Sequence, residues 1–239
     1  MADCELSNYS ALIQNMPLDQ HSATSKLITW KGKFDLDVIR DFCHLQFVEP
    51  RPTLSQREGE LDYDDDSIIK ISRGDLFKLA DDIKRRLETT DIHKFVYATI
   101  VWGYPSGGRG KNVEYLLKNI GALTDDIEKV AREGKIRSWD SKLDGLRKIK
   151  GVGVSTYSKF LYFLRVSVEK EEQKALILDG RLMAALKEFK DFESLEEVTE
   201  QKYPDYLSAM HSVANKPELK VDPGKLEMFL FLFGTNLKA

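Results

Sequence analysis

The chain has 239 residues, 42% of them hydrophobic and 31% charged, and a formal net charge of −3. These values describe a soluble globular protein with one sizeable core, or one domain folded as two lobes, and with 15 glycines and 7 prolines they exclude fibrous and low-complexity classes. No apolar run approaches the ~18 residues that cross a bilayer. The N-terminus lacks a basic start followed by an apolar core, so no membrane association and a cytoplasmic location are expected. Only two cysteines occur, Cys4 and Cys43, which leaves no four-thiolate zinc site and no all-cysteine iron–sulfur cluster within one chain. His21, His44, His93 and His211 show no metal-ligand spacing, so no metal held by protein side chains is expected.

In chain order, residues 1 to about 25 are polar and weakly patterned, as a loose arm or short helix would be. Val38, Ile39, Phe42, Leu45 and Gln46 predict a helix closed by Pro50 and Pro52. Residues 58–66 carry six acids and no base and read as a solvated loop. Ser72 opens an amphipathic helix with Leu76, Leu79, Ala80, Ile83 and Leu87 on one face. A second helix from Asp91 is apolar around most of its circumference and belongs in the core, ending at Gly103. Tyr104 to Lys111 form a glycine-rich loop. Helices follow over Val113–Asn119 and Asp125–Glu133.

Leu143, Leu146 and Ile149 recur at helical spacing until Gly151-Val152-Gly153 breaks the pattern. Ser155 or Thr156 can then cap a helix whose apolar positions are Tyr157, Phe160, Leu161 and Leu164. A polar spacer, RVSVEKEEQKA, leads to the apolar run Ala175–Leu178, then to Asp179-Gly180 and another helix through Phe189. Leu195 to Val213 is helical in pattern, with a break at Pro204. The last helix is capped by Asp222 and Pro223, runs apolar from Leu226 to Phe233, and stops at Gly234. No strand alternation of useful length is visible, so the expected fold class is all-α.

Charge is segregated. From Ser141 to Arg165 there are six bases (Lys142, Arg147, Lys148, Lys150, Lys159, Arg165) against one acid, Asp144. Successive backbone N–H groups at a glycine turn feeding a helix N-terminus converge on an anion, and the helix end adds partial positive charge. Gly151, Gly153 and Ser155, with Lys148 and Lys150 beside them, therefore suit a DNA phosphate, a contact that sets register without reading sequence. A plain helix–helix corner wants the same glycines. Asp179 likewise has two compatible roles, helix cap and functional carboxylate.

The combination is specific. IKGVGVST followed some twenty residues later by ILDG resembles the helix-hairpin-helix superfamily of base-excision DNA glycosylases. The spelling is nearest the adenine glycosylase branch, while an all-α chain without a cluster is closer to the 8-oxoguanine branch. The close match covers about residues 140–190, and the spacer is longer and more polar than the family's usual connection. The resemblance implies a single two-lobed domain over 1–239, with lobe A from about 1–71 plus 191–239. Lobe B would be about 72–190 and contain the hairpin at 140–165. It implies duplex DNA as partner, a monomer, no cofactor beyond a monovalent cation at the hairpin backbone, and Asp179 as the catalytic carboxylate.

Several further roles follow from the same resemblance. Bifunctional members carry a lysine two residues after the second hairpin glycine, and here that residue is Ser155. Monofunctional excision leaving an abasic site is therefore expected. Lys159, one helical turn on, is a base-pocket residue or a substitute nucleophile. Phe163 joins it as a pocket candidate on that helix. The YPSGGRGK loop is similar to a WGYPxGxRG-type segment of small bacterial 8-oxoguanine-glycosylase-like proteins. It makes Tyr104 and Arg109 candidates for filling the gap left by a flipped base. Glu227 and Phe231 on the last helix are expected at the pocket's far wall. Repair and defence against modified phage DNA both fit, and a non-catalytic helix-hairpin-helix DNA-binding protein is the competing class.

Overall fold

The computed structural model describes residues 5–30, 32–33, 68–86, 88–108, 111–195 and 198–236. The expected helix over Val38–Gln46, its stop at Pro50 and Pro52, the acidic stretch 58–66, Cys4, Cys43, His44 and Arg109 lie outside the described residues.

The molecule is mostly helical, as its periodicities predict. Helix α1 spans Ser10–Gln14. Helix α2 (Arg73–Arg86) buries Leu76, Ala80 and Ile83 and collects Lys84, Arg85 and Arg86 in its last turn, where cations suit the helix dipole. Helix α3 (Thr89–Gly103) is the central element. Ile92, Phe95, Val96, Ala98, Thr99, Ile100, Val101 and Trp102 are all buried along it, matching its nearly all-round apolarity. Around α3 pack α2, α5 (Ile120–Glu133) and α7 (Val154–Phe163). Helix α4 (Asn112–Lys118) precedes α5, which ends at Gly134 in the left-handed conformation. Helix α6 (Trp139–Leu146) is capped by Ser138.

Helices α8 (Gly180–Leu186), α9 (Tyr203–Ala214) and α10 (Pro223–Phe233) complete the set. The chain ends meet: α1 packs on α10, with Tyr9 and Phe229 rings 5.4 Å apart.

Four expectations need correction. First, strands do occur. Strand β1 (Ser22–Lys26) pairs antiparallel with β2 (Ile68–Ser72), and Ser72 both ends that strand and opens α2 as expected, its Oγ accepting from the Asp75 N–H at 3.1 Å while its own N–H donates to Asp75 Oδ2 at 2.8 Å. Ile69 and Ile71 point inward while Lys70 is exposed, an alternation too short to stand out without its distant partner. Second, the polar spacer also carries strands. It folds as β4 (Ser167–Val168) and β5 (Lys170–Lys174), though most of β5 is exposed, and β4 also pairs parallel with β3 (Lys135–Ile136).

Third, the helix expected from Leu195 begins only at Tyr203. Pro204 lies in its first turn, where a missing N–H costs nothing, and is not a break within it. Fourth, neither Ser155 nor Thr156 caps α7. Gly153 holds the cap position, both residues are already helical, and α5 likewise starts earlier than its apolar pattern suggests.

Candidate active site

The hairpin is built from backbone proximity. Gly151 has φ of 94°, and a Cβ there would lie 2.6 Å from the Leu116 amide nitrogen and 2.8 Å from the Asn112 carbonyl oxygen. Glycine is therefore required by close packing on α4 as well as by the turn. Gly153 has no such dihedral constraint (φ −106°). Lys148, Lys150 and Ser155 are exposed. Lys150 Nζ lies 3.8 Å from the centre of the Tyr115 ring, a cation–π contact. The Val154 N–H at the start of α7 donates to Glu200 Oε1 at 3.3 Å, so a carboxylate already occupies part of this helix end. Glu200 was not among the residues the sequence singled out.

Helix α7 also positions Asp179. Residues Ala175, Leu176, Ile177 and Leu178 are each 2–3% exposed, and burying each large aliphatic side chain contributes ~1.5–3 kcal/mol. These four residues lie outside the sheet; the Ala175 N–H donates to the Val166 carbonyl at 2.8 Å, and side chains bond the next three. The Leu178 N–H donates to Ser158 Oγ at 3.0 Å, Tyr203 OH donates to the Leu176 carbonyl at 2.6 Å, and Tyr206 OH to the Ile177 carbonyl at 2.8 Å. Ser158 is thus the direct link between hairpin helix and aspartate. Asp179 itself is half-buried and caps α8, its Oδ1 accepting from the Arg181 and Leu182 N–H groups at 3.0 Å each. The cap holds the carboxylate in one orientation and leaves Oδ2 available.

Asp179 opens into a cavity of about 470 Å³, whose walls include Tyr104, Ser155, Lys159, Glu227 and Phe231 from the sequence-derived set. Its size lies within the ~300–1,000 Å³ typical of small-molecule pockets. His21, Arg73, Trp102 and Arg181 also line it; Trp102 is the first residue of the WGYPxGxRG-type segment, and none of the four stood among the sequence-derived site candidates. Phe163 does not line it. It is fully buried and packs edge-on against the Trp102 ring at 5.3 Å, backing the wall. Tyr104 is held by a hydrogen bond between its hydroxyl and that of Thr156. Lys148, Lys150, Gly151 and Gly153 lie on the hairpin and are not part of the cavity wall.

Two features dominate the cavity's electrostatics. Arg73 and Glu227, 1% and 0% exposed, form a two-bond ion pair (Nη1–Oε2 2.8 Å, Nη2–Oε1 3.3 Å), and Arg73 Nη1 also donates to Tyr162 OH at 3.2 Å. Burial opposes the arginine's charge, yet Glu227 and Tyr162 hold its pKa above the ordinary value. Burial pushes the Glu227 carboxyl above its ordinary pKa, and the Arg73 guanidinium beside it pulls it back down.

Lys159 is 8% exposed, and its Nζ donates to the Ser155 carbonyl at 2.6 Å. Burial pushes its pKa down, Asp179 and Glu227 pull it back up, and Arg73 adds to the lowering. Gly103 makes room for it, since a Cβ there would sit 3.1 Å from Lys159 Cδ. The cavity therefore combines a fixed carboxylate, a desolvated amine and a buried arginine, a set able to stabilise positive charge on a sugar and to hold a polar base.

The family model described as "Putative 8-oxoguanine DNA glycosylase OGG-like protein" matches residues 44–231. No curated protein and no solved structure matches the chain. A match spanning most of the chain, on a mostly helical fold with Asp179 beside the hairpin helix, shows that the chain belongs to this 8-oxoguanine DNA glycosylase OGG-like family.

Proposed function

We propose that the protein is a monofunctional DNA N-glycosylase that extrudes a modified or damaged base and hydrolyses its bond to deoxyribose. The observation carrying this reading is the single cavity in which Asp179, Lys159, Arg181 and Glu227 converge next to Ser155 of the hairpin. Breaking the N-glycosidic bond builds positive charge on the sugar, and an ionised Asp179 stabilises it. The same carboxylate orients a water whose oxygen bonds to C1′ as the base leaves with the bonding electrons and gains a proton. The hairpin and Lys148 hold a phosphate of the duplex, Tyr104 fills space beside the extruded nucleotide, and the monomer's two lobes flank the cleft. Substrates are damaged bases in repair or modified bases of phage DNA.

Asp179→Asn is the test, run on a panel of duplexes each carrying one modified base and scored for alkali-labile abasic sites. Base release by the native protein should fall by at least ~10²–10³-fold in the variant, with duplex affinity retained. No release by the native protein on any duplex, with DNA binding intact, would favour the non-catalytic binding class.

The burial and lowered pKa of Lys159 favour a second reading of the chemistry. A neutral amine there attacks C1′ as the base departs, giving a Schiff base and later elimination of the 3′ phosphate. A covalent adduct trapped by borohydride in the native protein but absent in Lys159→Gln selects this reading, and its absence in both selects hydrolysis.

A further inference from the structure

Lys159 lines the cavity from the second turn of α7, and its side chain is confined at both ends. Its stem runs against the last residue of α3, because a Cβ on Gly103 would lie 3.1 Å from Lys159 Cδ and 3.5 Å from Cε. Nζ then turns back toward the start of its own helix. It donates to the Ser155 carbonyl at 2.6 Å and to Ser155 Oγ at 3.3 Å. Residues four apart stack on one helix face, so the pairing is geometrically ordinary. Its electrostatics are not. A cation in the first turn of a helix meets the positive end of the dipole, and Lys159 is only 8% exposed. Acceptor atoms are needed to hold an ammonium there, and Ser155 supplies two.

Other elements also turn charged and titratable groups toward this cavity: Asp179 and Arg181 at the start of α8, Glu227 on α10, Arg73 at the start of α2, His21 ahead of β1 and Tyr104 after α3. Asp179 and Glu227 favour the ammonium, while burial and Arg73 oppose it. Among the described residues, both hydrogen bonds of Nζ nevertheless go to Ser155. We propose that Ser155 is a positioning residue that decides the reaction's outcome: it tethers Lys159 away from the sugar, so that Asp179 and water complete a hydrolysis. This rests on the glycosylase reading for its setting.

Without the hydroxyl, the amine loses an acceptor that favours its charged form and a bond that fixes its direction. Lys159 then gives up a proton to solvent, and its lone pair bonds to C1′ as the base leaves with the bonding electrons and gains a proton. The new secondary amine loses a further proton to solvent. Its lone pair expels O4′, which takes up a proton, and a protonated Schiff base remains.

The test is a single-turnover reaction on a duplex from which the native protein releases base, read for abasic sites and for adduct trapped by borohydride. The ratio of adduct to released base allows comparison of variants that differ in DNA affinity. It should be near background for the native chain and rise roughly tenfold in Ser155→Ala, the change that one pKa unit in the amine gives. Ser155→Thr, which keeps the hydroxyl, should match the native chain. Adding Lys159→Gln to Ser155→Ala should abolish the adduct. An unchanged ratio in Ser155→Ala overturns the proposal, as does a native chain that already traps as much adduct.

A second measurement needs no substrate. NMR of protein carrying isotope-labelled lysine, with the Lys159 Cε resonance assigned by its loss in Lys159→Gln, follows titration of the amine. The amine should titrate at lower pH in Ser155→Ala than in the native chain or Ser155→Thr, and equal titration in all three overturns the tether. A lowered titration without base release from any duplex would sink the glycosylase reading and leave the tether standing. Base release with trapping and titration both unchanged would do the reverse.

Discussion

Arg73 and Glu227 line the cavity and brace it through a buried ion pair. The pair sits at 2.8 Å with both side chains essentially inaccessible, and removing one partner strands a buried charge. Glu227→Ala should destabilise the protein by ~3–5 kcal/mol in urea unfolding. A loss below ~1 kcal/mol would mean that water reaches Arg73. His21 makes a different prediction. Burial, with Arg73 and Arg181 nearby, lowers its pKa to about 4, so the folded protein resists protonation that the unfolded chain accepts. Its contribution is present above ~pH 6.5 and lost as pH falls toward the folded value. Because the ring is only half-buried, the loss is on the order of 1 kcal/mol after solvent screening. The stability difference between native protein and His21→Gln should therefore shift in favour of the variant by that amount between pH 7 and 4.5. An unchanged difference would rule out a buried neutral imidazole.

At the scale of elements, α7 does most of the organising. Its start carries the hairpin, Ser158 midway holds the backbone before Asp179, and Lys159, the next residue, lines the cavity. A phosphate approaching this helix end meets Glu200, whose carboxylate accepts from Val154 N–H. Two anions cannot share that position without repulsion. Glu200→Gln keeps an acceptor for the amide and removes the charge, so affinity for an unmodified duplex should rise severalfold at low salt, as measured by anisotropy. Unchanged affinity would place the phosphate elsewhere on the hairpin. The β4–β5 hairpin explains the long spacer: it extends the small sheet begun by β3 and returns the chain to the buried run at Ala175.

For the whole molecule, a net charge of −3 gives no general attraction to DNA, so binding depends on where the bases lie. Lys148 is exposed on the hairpin, while Lys150 leans on Tyr115. Lys148→Ala should weaken binding equally across sequences and reduce the slope of log affinity against log salt by about 1. A sequence-dependent loss would contradict a phosphate role.

By itself the sequence determined the helical class, most helix positions and the pairing of a glycine turn with Asp179, because those follow from local periodicity, capping and the needs of a tight turn. Tyr104, Ser155, Lys159, Glu227 and Phe231 were named through the family resemblance that this pattern carries, and all five border the same cavity. The short strands were not, since β1 and β2 become strands only through each other across residues 27–67. Nor were Arg73, Trp102, His21 and Glu200. An arginine at a helix start and a glutamate before α9 carry no motif, Trp102 opens the WGYPxGxRG-type segment without that spelling showing where it packs, and the positions of all three depend on contacts with partners far away in the chain. Tertiary structure alone decided that an ion pair spanning 154 residues would floor the cavity. It also decided that Trp102 Nε1, Arg73 Nε and His21 Nδ1, on residues that line the cavity, would be buried without a hydrogen-bond partner among the described residues, because desolvation acts on neighbours in space and not in sequence.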